Sequence, residues 1–170
     1  MKAIALAPLT AAGFAPFGDV IETAGAKSLP INQGFATRFD DLAAIDISSE
    51  NSSTAVSIFS AKVRPAPIAI KLMERHPLGS QCFFPLQNQT WLVVVCTDPD
   101  DPASYRAFVA GGRQGVNYAK NIWHHPLLVL EDDSRFLVVD RKGTGVNLEE
   151  HWLDEKQWLY VDLQGQQPKA

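Results

Sequence analysis

The chain has little cysteine, no cationic run and no long apolar run, and each shortage removes a class of function. Cys82 and Cys96 are its only two cysteines in 170 residues. They show neither the CxxC spacing of a zinc or redox site nor the density of a secreted disulfide scaffold. Both fall in apolar, strand-like stretches, which points to reduced core residues of a cytoplasmic protein. The 15 Lys and Arg are scattered against 19 Asp and Glu, for a formal charge of -4. That balance argues against a nucleic-acid or anionic-membrane surface and for a small molecule or another copy of the chain as partner. No stretch approaches the ~18 apolar residues of a membrane-spanning helix. The opening "MKAIALAPLTAAGFAP" imitates a secretion signal, but Pro8 and Pro16 interrupt it, and it reads as a strand ("AIALAP") followed by a helical turn ("TAAGFA").

Long helical periodicity is missing as well. Short segments such as "TAAGFA" and "LDEKQW" have helical character, and none is long enough to form a βαβ crossover. What remains is about ten short apolar runs separated by turn residues, from "GDVIET" and "AVSIFSAKV" through "SQCFFPL" and "TWLVVVCT" to "SRFLVVDR". This is the pattern of an all-β sandwich or barrel. Composition agrees, with 46% hydrophobic residues, 20% charged, 11 Gly and 11 Pro. No linker or internal repeat divides residues 1–170, so a single domain is expected, with the tail "QGQQPKA" frayed. Ten strands in one domain must close on themselves or stack, because open edges invite aggregation. A cupin-like double-stranded β-helix, or jelly-roll barrel, with a few short helices meets that need. The unbroken apolar runs "TWLVVVCT" and "FLVVD" ask for cover on both faces. Either a second barrel or the chain's own N-terminal segment would supply it.

The chemistry gathers in two places. In "IAIKLMERH", residues 68–76, strict alternation puts Glu74 and His76 on the parity of Ile68, Ile70 and Leu72. Successive side chains of a strand point to opposite faces, so an acid and an imidazole are carried inward together. An unpaired buried charge costs several kcal/mol, so something must meet them. Gln81 follows across the turn "PLGS", and a tandem pair, His124 and His125, follows in "KNIWHHPL". In an extended segment only one of that pair faces inward. The parity of Leu128 and Leu130 favours His124, while Leu127 and Val129 leave His125 open.

Glu74, His76, Gln81 and His124 form a degenerate version of a barrel metal site. Imidazole, carboxylate and amide oxygen suit Ni, Mn, Fe or Zn, so a divalent ion is admitted but not required. The metal-free alternative is an acid/base site in which Glu74 orients an imidazole.

The stretches "ERHPLGSQCFFPL" and "GVNYAKNIWHHPL", with "FGDVIE", "INQGFATRFDDLA" and "FLVVDR", resemble ureidoglycolate lyase. The likeness runs from about residue 4 to residue 141 and fades after Gly145. Lys120 and Cys82 are mild departures from the family pattern. The resemblance implies a cupin-type barrel, a homodimer, nickel as an associated metal, and cleavage of (S)-ureidoglycolate to glyoxylate and urea in allantoin breakdown. Carried over by position, it implies catalytic roles for His76, Glu74 and His124 and a metal set of Glu74, His76, Gln81 and His124. Asn117, Lys120 and Arg141 become the polar substrate contacts. Asn32 and Arg38 are equally consistent with a pocket role and with an exposed turn and charge. Two rival functions stay open: a barrel that binds a small carboxylate without turning it over, and another metal-dependent cupin enzyme.

Overall fold

A computed structural model describes residues 2–48 and 50–163, so the tail 164–170 lies outside it. In chain order the strands are β1 (Lys2–Pro8), β2 (Gly18–Ile21), β3 (Ser28–Ile31), β4 (Ala36–Phe39), β5 (Ser52–Ala61), β6 (Ala69–Ile70), β7 (Leu72–Arg75) and β8 (Gln81–Pro85). They continue as β9 (Trp91–Cys96), β10 (Arg106–Ala110), β11 (Gly115–Tyr118), β12 (Trp123–His124), β13 (Leu128–Val129), β14 (Ser134–Gly143), β15 (Glu149–Trp152) and β16 (Leu159–Asp162). The α-helix α1 (Ala11–Phe14) is a single turn. Thr10 caps it, its Oγ1 accepting from Gly13 N at 3.1 Å. The helical character of "LDEKQW" is realised as one 3₁₀ turn at Glu155–Gln157.

Two large sheets face one another. One runs β15-β7-β12-β9-β10-β1-β16-β6, with β13 also on β9, and the other runs β2-β11-β8-β14-β5. Their inner faces share a core that includes Phe14, Phe17, Phe83, Trp91, Val95, Val116, Tyr118 and Phe136. The fold is the all-β, cupin-like barrel expected. Gly18, at φ +145, starts β2 so close to β11 that an added Cβ would sit 1.9 Å from Asn117 O; no larger residue fits there.

The large sheet also curls back on itself, because β6 and β7 are separated only by Lys71 yet β6 ends the sheet on one side and β7 is the second strand from the other. That closure creates a second core from Ile4, Ile68, Ile70, Met73, Leu92, Val94, Leu128, Leu159 and their neighbours. Strand β9 is thus buried on both faces: Trp91, Val93 and Val95 toward the inter-sheet core, Leu92, Val94 and Cys96 toward the second. Its cover comes from the chain's own β1 and β16. On β14, Phe136 and Val138 are buried, whereas Leu137 and Val139 on the other face are only partly covered. Cys82 and Cys96 are buried and unpaired.

The alternation in "IAIKLMERH" does not persist as expected. Ile68, Ile70 and Met73 all join the second core, so the parity slips between residues 70 and 73. The cause is a change of partner at Lys71: its carbonyl accepts from Leu153 N at 2.8 Å, extending the pairing of β7 with β15, whereas Ile70 before it pairs with Leu159 of β16. Past Lys71, Leu72, Glu74 and His76 share a face that no longer belongs to Ile68 and Ile70. Strands β3 and β4 stand apart, as a hairpin bonded to neither large sheet.

Candidate active site

Glu74 and His124 meet because their strands pair. His124 on β12 lies directly opposite Glu74 on β7 and, on its other side, opposite Val95 of β9. Residues opposed across an antiparallel pair point to the same face. Val95 belongs to the inter-sheet core, so His124 faces inward, and its side chain is 2% exposed. His125 takes the other face and gives its Nδ1–H to Pro126 O at 2.6 Å. Burial holds its imidazole down, to about 4, which keeps it neutral. The parity argument that favoured His124 fails in detail: Pro126 breaks the strand, and Leu128 faces the second core while Val129 faces the first.

His76 follows β7 and leads into the turn 77–80, which crosses to β8 of the opposite sheet. That crossing brings Gln81 back to the imidazole, with Oε1 at 3.1 Å from His76 Nε2. One ligand atom each from Glu74, His76 and His124 fall within 4.8 Å of one another. The two imidazole rings are 5.3 Å apart at their centroids. Their tautomers follow from their partners. His76 Nδ1–H donates to Asn147 O at 2.6 Å, and His124 Nδ1–H donates to Ile122 O at 2.9 Å. Each ring therefore turns its Nε2 toward an acceptor, Gln81 Oε1 for His76 and Glu74 Oε1 at 3.5 Å for His124. His124 Nε2 is buried and makes no hydrogen bond there.

Two nitrogen lone pairs facing two oxygens would repel, so a positive centre belongs among them. Two added protons would satisfy them pairwise; one divalent cation would satisfy all four at once, and the donor set of imidazole, carboxylate and amide oxygen suits it. Burial pushes the Glu74 carboxyl upward, but the His124 contact and the neighbouring imidazoles of His124 and His76 outweigh it and leave the carboxyl below its ordinary value. Glu74 is accordingly ionised, and it opens onto a cleft of about 400 Å³ lined by Phe59, Ser60, Ala61, Phe83, Pro126 and Leu127.

Three participants were not assigned to the site from the sequence. Tyr118 stacks on His124 with centroids 4.1 Å apart and planes 9° from parallel. Its alternation with Val116 in "GVNYAK" was the available clue. Asp140 reaches Gln81 Nε2 at 3.5 Å. Asn147 holds His76 through its carbonyl and Leu78 N through its side-chain Oδ1 at 2.8 Å. It lies in a loop of no recognisable periodicity, where the resemblance had faded.

Asn117, Lys120 and Arg141 are not brought to this cluster. Asn117 pairs with Cys82 on the outer face of the smaller sheet and donates to Asp19 Oδ2 and Ala44 O. Lys120 binds Asp46 Oδ2 at 3.0 Å. Arg141 sits on the outward parity of β14, packs against Gly79 and donates to Thr144 O at 2.7 Å. Asn117 and Lys120 both grip the segment 41–48, which Ser80 fastens further through Asp46 N at 2.8 Å.

A curled two-sheet barrel whose mouth gathers two oriented imidazoles and an ionised carboxylate has the architecture of a cupin-type enzyme. Its relatives make the class specific. The ureidoglycolate lyase family model matches residues 1–160. The ureidoglycolate lyase of Burkholderia mallei (strain NCTC 10229) is 52% identical over 163 residues, covering 95% of this chain and 96% of that protein. Those of Pseudomonas syringae pv. tomato and Pseudomonas aeruginosa (strain LESB58) are 48% and 46% identical, covering 95% and 98% of this chain and 96% and 100% of their own. This chain belongs to the ureidoglycolate lyase family. Among solved structures, oxalate decarboxylase from Bacillus subtilis superposes with a TM-score of 0.36 at 11% identity, over 62% of this chain and 24% of that one.

Proposed function

We propose that this protein cleaves (S)-ureidoglycolate to glyoxylate and urea in allantoin breakdown, with His76 and His124 moving the protons. The single observation that carries the reading is the pair of Nδ1-anchored imidazoles presenting Nε2 into one space beside Glu74. Ureidoglycolate is a hemiaminal: one carbon carries a hydroxyl, a carboxylate and the ureido nitrogen. A base takes the hydroxyl proton, the C–O bond becomes the carbonyl of glyoxylate, and the C–N electron pair leaves with the ureido nitrogen. An acid protonates that nitrogen to give urea, and no water is consumed. Each such proton transfer contributes typically 10²- to 10⁴-fold.

His76 is the base in this reading. In this role the substrate hydroxyl takes the place of Gln81 Oε1 as the partner of His76 Nε2, while the Gln81 NH₂ group stays on Asp140. His124 is the acid in this reading: a proton on its Nε2, 3.5 Å from Glu74 Oε1, passes to the substrate nitrogen. Tyr118 holds the plane of that ring.

If a divalent ion is bound, Glu74, His76 and His124 would hold it with Gln81 as a fourth donor, and nickel is the metal the family likeness suggests. Such an ion supplies Lewis acidity and a positive anchor for the substrate carboxylate. The same Nε2 atoms cannot be ligands and proton carriers at once, so chelation separates the two versions.

No described helix is long and apolar enough to cross a membrane. The two buried free thiols support a reducing, cytoplasmic setting. We also propose that the working form is a homodimer. A coupled assay of glyoxylate and urea, with and without chelator, tests the activity. Equal amounts of the two products support the lyase, ammonia in place of urea points to amide hydrolysis, and no turnover at all leaves a binding barrel.

A further inference from the structure

We propose that the β3–β4 hairpin is an arm that docks on a second copy of this chain and completes that copy's active site. Phe35 fills the apolar cleft in front of Glu74, and Arg38 meets the substrate carboxylate. The inference rests on the reading of that cleft as the substrate entrance.

The hairpin is the one piece of regular structure, among the described residues, that the fold does not use. It pairs only with itself, from Ser28↔Phe39 to Ile31↔Ala36, closed by Asp40 N to Lys27 O at 2.9 Å. A lone two-stranded hairpin is marginal in water without something to pack on. Its apolar residues are left incompletely covered by their own chain: Ile31 and Phe39 are 39% and 38% exposed, and Phe35 at the tip is 90% exposed. The tip is built to hold Phe35 in that position. Asn32, Gln33 and Gly34 are consecutively left-handed at φ 52, 55 and 90, and Phe35 N closes the turn on Asn32 O at 3.1 Å. Non-glycine residues take that conformation at a cost that surrounding contacts must repay.

The cleft offers the complementary surface. Phe59, Ala61, Phe83, Pro126 and Leu127 make it apolar, its volume of about 400 Å³ accepts a phenyl ring, and Glu74 is its only ionisable group. Charge supplies the second argument. The charged groups that act on Glu74 are imidazoles, and Lys120 and Arg141 are directed to Asp46 and Thr144. Among the described residues that line the cleft, none carries the guanidinium or ammonium that would suit a carboxylate substrate. Arg38 is 62% exposed and engaged only by the neighbouring Asp40 at 2.6 Å, a surface pair that is easily exchanged. Its planar fork suits a carboxylate. A two-fold pair places one arm over each site, since the same patch meets its counterpart in both directions.

Mixing two defective chains tests this directly. His76→Ala and Arg38→Ala are each expected to cut turnover by at least ~100-fold. If the arm acts on the partner, random pairing makes half the dimers mixed, each with one intact site, so an equimolar refolded mixture regains about a quarter of wild-type turnover. No recovery, with both variants folded and light scattering showing that they pair, overturns the proposal. A second measurement does not depend on turnover: chains carrying Phe35→Cys are mixed with chains carrying Ala61→Cys and oxidised with glutathione disulfide. An interchain disulfide between residues 35 and 61 supports the arm even if ureidoglycolate proves not to be the substrate. A cross-link formed only within one chain carrying both substitutions, or none, refutes it.

Discussion

Replacing Glu74 with Gln removes a charge while keeping the shape, and so isolates what the carboxylate does. At 3.5 Å from His124 Nε2, and with an effective dielectric of ~20, its attraction for a cation on that nitrogen is about 5 kcal/mol before desolvation is subtracted. Glu74 is 18% exposed, so solvent screens part of this. A loss of about 3–4 kcal/mol in transition-state stabilisation follows, or roughly 10²- to 10³-fold in kcat/KM. Stability should change far less, because an imidazole can shed its proton when its counter-charge is removed, as a buried arginine cannot. The assay is glyoxylate release by Glu74→Gln against wild type, with urea unfolding and metal content measured on the same samples. Parallel loss of metal and turnover assigns the carboxylate to a ligand role; loss of turnover alone assigns it to the imidazolium. Turnover within threefold of wild type in a folded variant would refute the premise that a cation sits between Glu74 and His124.

Asn147→Ala leaves Leu78 N without its acceptor, costing about 1–3 kcal/mol of stability, and frees the carbonyl that orients His76, lowering kcat on the order of tenfold; Asn147→Asp, which keeps an oxygen for Leu78, restores most of both. Tyr118→Leu removes the stack on His124, worth about 0.5–1.5 kcal/mol, and is expected to lower kcat several-fold with KM little changed, whereas Tyr118→Phe keeps the stack and the rate. The Ser48 hydrogen bonds, and then Lys120, hold the Asp46 carboxyl at about 2, below its ordinary 3.8. The folded state therefore binds that proton less readily than the unfolded chain. The associated stability is complete above about pH 4 and fades as the pH falls toward 2. Denaturant titrations of wild type and Asp46→Asn across that window should converge at the acid end; a constant difference would remove Asp46 as the latch on segment 41–48.

Local pattern determined much of this protein. Alternation and turn residues specify short strands, and their number in one domain requires closure into a barrel, because unpaired edges are costly. The acidic and imidazole side chains of "ERH", with Gln81 across a four-residue turn, were legible because a strand's period of two decides which residues travel together. That logic holds only while the strand is unbroken. At Lys71 the chain changes its partner strand and at Pro126 the ladder stops, and parity could no longer tell that Ile70 parts from Glu74 or that Leu128 parts from His124. Only the pairing of β12 with both β7 and β9 chose His124 over His125.

Tertiary structure alone decided the rest. Asn147 reaches His76 from 71 residues away, through a backbone carbonyl that every residue type possesses and no sequence pattern marks. Asn117, Lys120 and Arg141 are polar substrate contacts by family resemblance, yet they lie on the outer side of their sheet or bind segment 41–48. A polar side chain's partner depends on which distant segment lies against it, and periodicity records only the face it occupies.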